Sequence, residues 1–93
     1  MTTPLPRRVT PVPEVLFQDV GDEAVLLNLQ TEHYFSLNDV GTRMWQLLCE
    51  HGDTDTVVAR LSDLYDAEVD TLRQDLAELI VELHEAALVT IEG

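Results

Sequence analysis

The sequence predicts an α+β fold in which an antiparallel sheet is followed by a bundle of helices. Residues 14–37 contain three short apolar segments of strand-like composition, separated by polar turns. From residue 39 onward the apolar residues recur at helical spacing instead. The chain has 93 residues, which is enough for one domain with a small core. We therefore expect a three-stranded sheet packed on three helices.

A strand leads directly into a helix in the middle of the chain. His33–Leu37 reads as a short strand that holds two aromatic residues. Asn38 and Asp39 follow at once, and both side chains can cap a helix. The apolar residues that come next are spaced for a helix and are Val40, Met44, Leu47 and Leu48. The boundary between sheet and helices is therefore predicted at Asn38.

The three predicted strands span residues 14–19, 24–29 and 33–37. The apolar run of the second strand is nearly continuous, which predicts a central strand covered on much of both faces. Short turns join the strands, so an antiparallel meander is the simplest arrangement. In that order the third strand has an open edge, and open edge strands tend to pair with another chain.

The three predicted helices span residues 39–50, 54–65 and 69–86. Gly52 is expected to end the first helix in a left-handed conformation. The third helix has an unbroken helical stripe of apolar residues, made of Val69, Leu72, Leu76, Leu79, Ile80 and Leu83. Residues 88–91 return to an extended pattern and are expected to form a final short strand.

The first 13 residues contain all four prolines of the chain. Proline lacks a backbone donor and fixes its φ angle, so neither a helix nor a central strand is expected there. We predict a flexible, extended tail over residues 1–13 that pairs with nothing in the domain. The folded domain is then expected to comprise residues 14–93.

The charge of the chain is strongly acidic, with a formal net value of −13. Arg7 and Arg8 precede residue 14, which leaves three Arg against eighteen Asp and Glu in the rest of the chain. Such a surface repels phosphates and argues against binding to nucleic acid. Neither a membrane-spanning run nor a secretory apolar segment is present, so a cytoplasmic protein without membrane contact is expected. The one cysteine, Cys49, is predicted to be buried as a small apolar residue.

The sequence lacks the residue patterns that are typical of catalysis, metal binding or phosphate binding. His33, His51 and His84 lie far apart, and none has a Cys or His partner at metal-ligand spacing. There is neither a nucleophile motif nor a glycine-rich phosphate loop, and Gly41 is interpreted as a close-packing site. The sequence therefore predicts a non-catalytic protein that holds neither a metal nor a cofactor.

The order of these elements resembles the PqqD-like proteins, the recognition elements for precursor peptides of ribosomally made natural products. The resemblance rests on the aromatic strand with Leu37-Asn38, on Val40-Gly41 and Trp45 in the first helix, and on the closing helix with its exit at 86–89. It covers residues 14–91. Ala87 stands where the family usually has glycine. Because Ala in a left-handed cap would cost about 1 kcal/mol, the exit from the third helix is expected to differ in detail from the family pattern.

The resemblance implies a winged helix-turn-helix-like fold with the third helix beside the third strand, and a leader peptide bound as an added strand between them. The edge of the third strand would supply His33, Tyr34, Phe35 and Ser36. The floor would be Leu72, Leu76 and Leu79, with Arg73 and Asp75 flanking it as charge selectors. From the apolar stripe alone, all three leucines could be core residues, and the core is the favoured interpretation of Leu76 and Leu79. Tyr34 should lie off the core face.

The resemblance leaves the pathway open. Lasso-peptide biosynthesis, with a separate cysteine peptidase that removes the leader, fits somewhat better than quinone-cofactor biosynthesis. A winged-helix transcription regulator is the alternative from another class, although the third helix carries acids where phosphate contacts need cations. An adaptor that docks through its acidic face is a third possibility.

Overall fold

The chain folds into a three-stranded sheet, three helices and a two-stranded ribbon, as seen in a computed structural model that describes residues 5–21 and 23–92. The elements are β1 Arg8–Pro11, β2 Val15–Val20, β3 Glu23–Asn28, β4 His33–Leu37, α1 Asp39–His51, α2 Thr54–Leu64, α3 Val69–Glu85 and β5 Val89–Glu92. The predicted α+β class is confirmed, and each predicted strand and helix lies within one residue of its observed bounds.

The sheet is an antiparallel meander in which β3 lies between β2 and β4. Leu26 of β3 stands opposite Phe17 of β2 and Phe35 of β4, and Leu27 stands opposite Leu16 and Tyr34. Within the described residues β4 pairs on one side only, so the predicted open edge is confirmed.

The inner face of β3 enters the core, whereas its outer face is not covered by a helix. Ala24, Leu26 and Asn28 are buried, while Val25 and Leu27 between them are only half-buried. The expectation that this strand is covered on much of both faces was therefore wrong for the outer face. The apolar run of β3 is nearly continuous because its outer side chains lie next to side chains of the neighbouring strands β2 and β4.

Residues 8–11 form a strand, so the prediction that residues 1–13 pair with nothing was wrong for this segment. β1 pairs antiparallel with β5, and Val9, opposite Ile91, is fully buried in the core. The prolines permit this pairing because Pro11 stands at the end of the strand, where its missing amide costs little. Residues 1–4 of the predicted tail lie outside the described residues.

Thr54, at the start of α2, fastens the N-terminal segment to the domain. Its hydroxyl donates a hydrogen bond of 2.5 Å to the carbonyl oxygen of Pro6, and its amide donates one of 3.2 Å to the carbonyl of Arg7. The amide of Val9 donates to the carbonyl of Gly52 at 2.9 Å. If this segment detached, the Thr54 hydroxyl would lose its hydrogen-bond partner. Because Thr54 is buried, this loss would destabilise the fold.

In the turn from β4 into α1, side-chain atoms of Leu37 and Asn38 lie close to the Gly41 backbone. Asn38 caps the helix, because its Oδ1 accepts a hydrogen bond of 2.7 Å from the Gly41 amide. A Cβ atom on Gly41 would lie 3.1 Å from that oxygen and 3.3 Å from the Leu37 Cδ2 atom. Gly41 is therefore a close-packing site, as predicted. Gly52 ends α1 at a φ of 74°, also as predicted.

Two further predictions concern the conformation of Ala87 and the burial of Cys49. Ala87 takes a φ of 59°, so α3 ends in the left-handed conformation even without glycine. Cys49 is exposed, which makes the prediction of a buried cysteine wrong. It stands at the edge of the apolar side of α1, next to the exposed Glu50.

Candidate functional site

The open edge of β4 presents unpaired main-chain groups. The amide of Leu29 donates to the carbonyl of Glu14 at 2.8 Å, which fixes the alternation of hydrogen bonds along β3. The residues of β3 that bond to β4 are then Ala24, Leu26 and Asn28, and their partners in register are Leu37, Phe35 and His33. The amides and carbonyls of Tyr34 and Ser36 therefore point to the open side, where another strand would pair with them.

The side chains of β4 alternate between the core and solvent. Tyr34 is 73% exposed and lies on the outer face, as predicted. Phe35 is half-buried and packs against the core, and Leu37 is buried within it. The strand is thus anchored on its inner face while its edge stays accessible.

A groove begins where β4 ends and runs between α1 and α3. Its volume is about 360 Å³. The lining residues are Asn38, Val40, Gly41 and Met44 from the start of α1 and Asp75, Glu78, Leu79 and Glu82 from α3. Val40, Met44 and Leu79 form an apolar floor, and three carboxylates stand along one wall. Asn38, which follows β4 directly, is the lining residue next to the strand.

Six of the nine residues proposed from sequence lie on the β4 edge or in the groove, although no β4 residue lines the groove itself. His33, Tyr34, Phe35 and Ser36 form the edge strand, and Asp75 and Leu79 line the adjoining groove. α1 is the helix packed against β4, whereas α3 packs chiefly on α2 and β5. The groove therefore joins α3 to the end of β4 across the first turn of α1.

The other three proposed residues point elsewhere. Leu72 is 4% exposed and Leu76 is fully buried, and both belong to the hydrophobic core. Arg73 donates to Asp55 of α2 at 3.1 Å, in an exposed ion pair of the kind that contributes little to stability. The core interpretation of these leucines, which the apolar stripe also allowed, is the one the structure supports.

Sequence reasoning missed six residues of the groove, which are Asn38, Val40, Gly41, Met44, Glu78 and Glu82. Val40 and Met44 are one helical turn apart on α1, and Glu78 and Glu82 are one turn apart on α3. From their spacing alone, Glu78 and Glu82 fit a solvated helix face. The spacing indicates a shared face on each helix, but only the tertiary structure places the two faces in one groove.

The site offers main-chain donors and acceptors, an apolar floor and carboxylates. In the described residues no group of three His, Cys, Asp or Glu side chains is placed to hold a metal ion. Cys49 is exposed as a residue, but the protein atoms around its thiol partly desolvate it and raise the pKa of Cys49. This thiol lies outside the groove. These properties suit an extended peptide, which can pair with the β4 edge and place a side chain on the groove floor.

The chain belongs to the PqqD family. A family model described as coenzyme PQQ synthesis protein D (PqqD) matches residues 23–89, which confirms the family predicted from the sequence. A search of curated proteins finds no match. Within the described residues no helix is both long enough and apolar enough to cross a membrane.

Two solved structures share the fold over most of their length. One, described as TbiB1 in complex with the TbiA(beta) leader peptide, is 33% identical, has a TM-score of 0.80, and is matched over 90% of this chain and 95% of that one. The other, lasso peptide synthetase B1 complexed with the leader peptide, is 24% identical, has a TM-score of 0.79, and is matched over 89% of this chain and 98% of that one.

Proposed function

We propose that this protein recognises the leader segment of a ribosomally made precursor peptide and presents it to separate modifying enzymes, without itself catalysing a reaction. The observation that carries the proposal is the open β4 edge, where the main-chain groups of Tyr34 and Ser36 face away from β3. The likeness to TbiB1, solved with a leader peptide, supports the same use of this fold.

The leader binds as a fourth strand on β4. Main-chain hydrogen bonds to Tyr34 and Ser36 supply affinity that depends little on leader sequence. His33 and Phe35 flank these residues and set the shape of the edge. Beyond Leu37 the peptide enters the groove, where one apolar leader side chain packs on the floor formed with Leu79.

The groove wall selects charge as well as shape. Asp75, Glu78 and Glu82 occupy one side of α3, and among the residues that the structure describes no Lys or Arg lines the groove. A leader with Lys or Arg next to its apolar anchor therefore gains attraction, while an acidic neighbour is repelled. The same charges disfavour a transcription regulator, since phosphate contacts on this helix would need cations.

We place the protein in lasso-peptide biosynthesis, with a cysteine peptidase that removes the leader as the separate enzyme. The structural likeness to a lasso peptide synthetase B1 supports this assignment over quinone-cofactor biosynthesis. A cytoplasmic location remains a prediction from the sequence.

Amide chemical shifts recorded with the leader peptide from the neighbouring precursor gene test the proposal. We expect the largest changes at residues 33–36, at Val40 and from Asp75 to Glu82. An acidic scrambled peptide of equal length is the control and should change none of them. Changes centred on Val57–Leu61 of α2 would contradict strand addition, and the absence of changes would contradict leader recognition.

A further inference from the structure

The β4 strand lacks the features that commonly keep an edge strand from pairing with another chain. Such strands are protected by Lys, by proline or by a bulge that twists the edge away. His33–Leu37 contains neither Lys, Arg nor Pro, and it pairs with β3 in continuous register without a bulge. The edge is therefore open for a second chain, and the side chains of β4 can contact the residues of that chain.

Tyr34 ends an apolar row on the outer face of the sheet, the face turned away from the helices. Leu16 of β2, Leu27 of β3 and Tyr34 stand opposite one another in register, and the Tyr34 side chain is 73% exposed. The next row along the strands begins with Gln18 and ends at Ser36. The outer face is therefore apolar where it meets the open edge at Tyr34 and polar two residues further on.

A strand added to β4 would continue both rows. Side chains of a pleated strand alternate between the two faces, and residues in register on neighbouring strands share a face. Leader residues in register with Tyr34 and Ser36 would therefore lie on the outer face, with their Cβ atoms about 5 Å from those of β4. The leader residue between these two would lie on the inner face, next to Phe35.

We propose that the Tyr34 side chain selects the leader, through a cross-strand pair with one aromatic or β-branched leader residue on the outer face. Pairs of this kind stabilise neighbouring strands. The leader residue beside Ser36 meets a hydroxyl group instead and can be polar. An acidic residue beside Tyr34 would find no cation nearby in the sheet, since residues 9–42 contain neither Lys nor Arg.

This inference rests on the proposed function and adds a second position of side-chain selection to it. The groove selects one apolar leader side chain on the inner side, and Tyr34 selects another on the outer face. The leader sequence should then carry two apolar requirements that lie on opposite faces of one strand.

Fluorescence anisotropy with a labelled leader and the purified protein, without any enzyme, tests the pair. Tyr34→Thr keeps a residue that favours strands but removes the ring, and it should weaken leader binding by about two- to fivefold. Leu16→Thr is the matched control, because Leu16 is 50% exposed in the same row. Three strand spacings place it about 14 Å from an added strand, so leader affinity should not change. Tyr34→Phe keeps the ring and should bind the leader normally.

An alanine scan of the leader, repeated against Tyr34→Thr, identifies the partner residue. At one leader position the alanine substitution should weaken binding to the wild-type protein by a similar factor and hardly affect binding to Tyr34→Thr. Additive effects at every position, unchanged affinity of Tyr34→Thr, or an equal loss in Leu16→Thr or Tyr34→Phe would overturn the pair and leave strand addition intact. Failure of the wild-type protein to bind the leader would overturn the proposed function itself.

Discussion

The side-chain amide of Asn28 donates a hydrogen bond of 2.8 Å to the carbonyl oxygen of Ala87. Asn28 is 2% exposed, and its Oδ1 atom also accepts from the amides of Gln30 and Thr31, at 2.9 and 3.2 Å. One buried side chain therefore links the exit of α3 to the turn that precedes β4. This contact holds Ala87 in its left-handed conformation, and it connects the helix that lines the groove to the strand that carries the open edge.

Ala87→Gly should stabilise the protein by about 1 kcal/mol, because glycine adopts a positive φ without the strain of a Cβ atom. Urea unfolding would show this as a higher midpoint with an unchanged slope. Ala59→Gly, at an exposed position inside α2, is the control and should destabilise by a similar amount. A loss of stability in Ala87→Gly would contradict the left-handed assignment.

Val9→Ala should destabilise the domain by about 2 kcal/mol, because it leaves a cavity in the core that β1 helps to fill. Deletion of residues 1–13 should destabilise it further, since the buried hydroxyl of Thr54 then loses its partner. Thermal and urea unfolding measure both. Val81→Ala, at a 40% exposed position on α3, is the control. Equal stabilities of the truncated and full-length proteins would show that the ribbon of β1 and β5 is dispensable.

Ser36→Pro should reduce leader affinity by about tenfold or more while the fold persists, because the lost amide faces the open edge. Circular dichroism and leader titration measure the two effects. Phe35→Pro is the contrasting variant, since its amide bonds to Leu26 and its loss should unfold the sheet edge. Ser36→Ala keeps the amide and should bind the leader normally. Normal binding by Ser36→Pro would rule out strand addition at this residue.

The double variant Glu78→Gln, Glu82→Gln should weaken binding of a leader that carries Lys or Arg, by a few-fold for charges exposed at the groove wall. The wild-type affinity should fall as salt is added, and the variant should show a shallower dependence. The double variant Glu50→Gln, Glu85→Gln, at exposed positions outside the groove lining, controls for the same change in net charge. An identical salt dependence in all three proteins would place the leader away from this wall.

The Cys49 thiol should react more slowly with iodoacetamide in the folded protein than in the unfolded protein. Although the residue is exposed, the protein atoms around its thiol partly desolvate it, which raises its pKa and so lowers the thiolate fraction at any pH below that pKa. The pH profile of alkylation for the folded protein should lie at higher pH than the profile in urea. Cys49 is the single cysteine of the sequence, so the labelled mass reports it alone. Folded protein that reacts as fast as unfolded protein would contradict this environment.

The sequence alone determined the order and bounds of β2 to β5 and of the three helices, because these follow from local periodicity and capping, whereas β1 was not predicted. His33–Leu37 alternates and Asn38 can cap, so the switch from strand to helix was readable residue by residue. The open edge followed from the short turns that join β2, β3 and β4. The family also followed from this local order of motifs.

The tertiary structure decided which side chains meet. Leu72, Leu76 and Leu79 share one stripe, yet the first two are core and only Leu79 reaches the groove, because the neighbours of each turn of α3 are set by helix packing. Val9 is core because β5 returns beside it from 80 residues further along the chain. Local spacing shows which residues share one face of a helix. Contacts between distant segments depend on how these faces pack against each other, which only the folded chain determines.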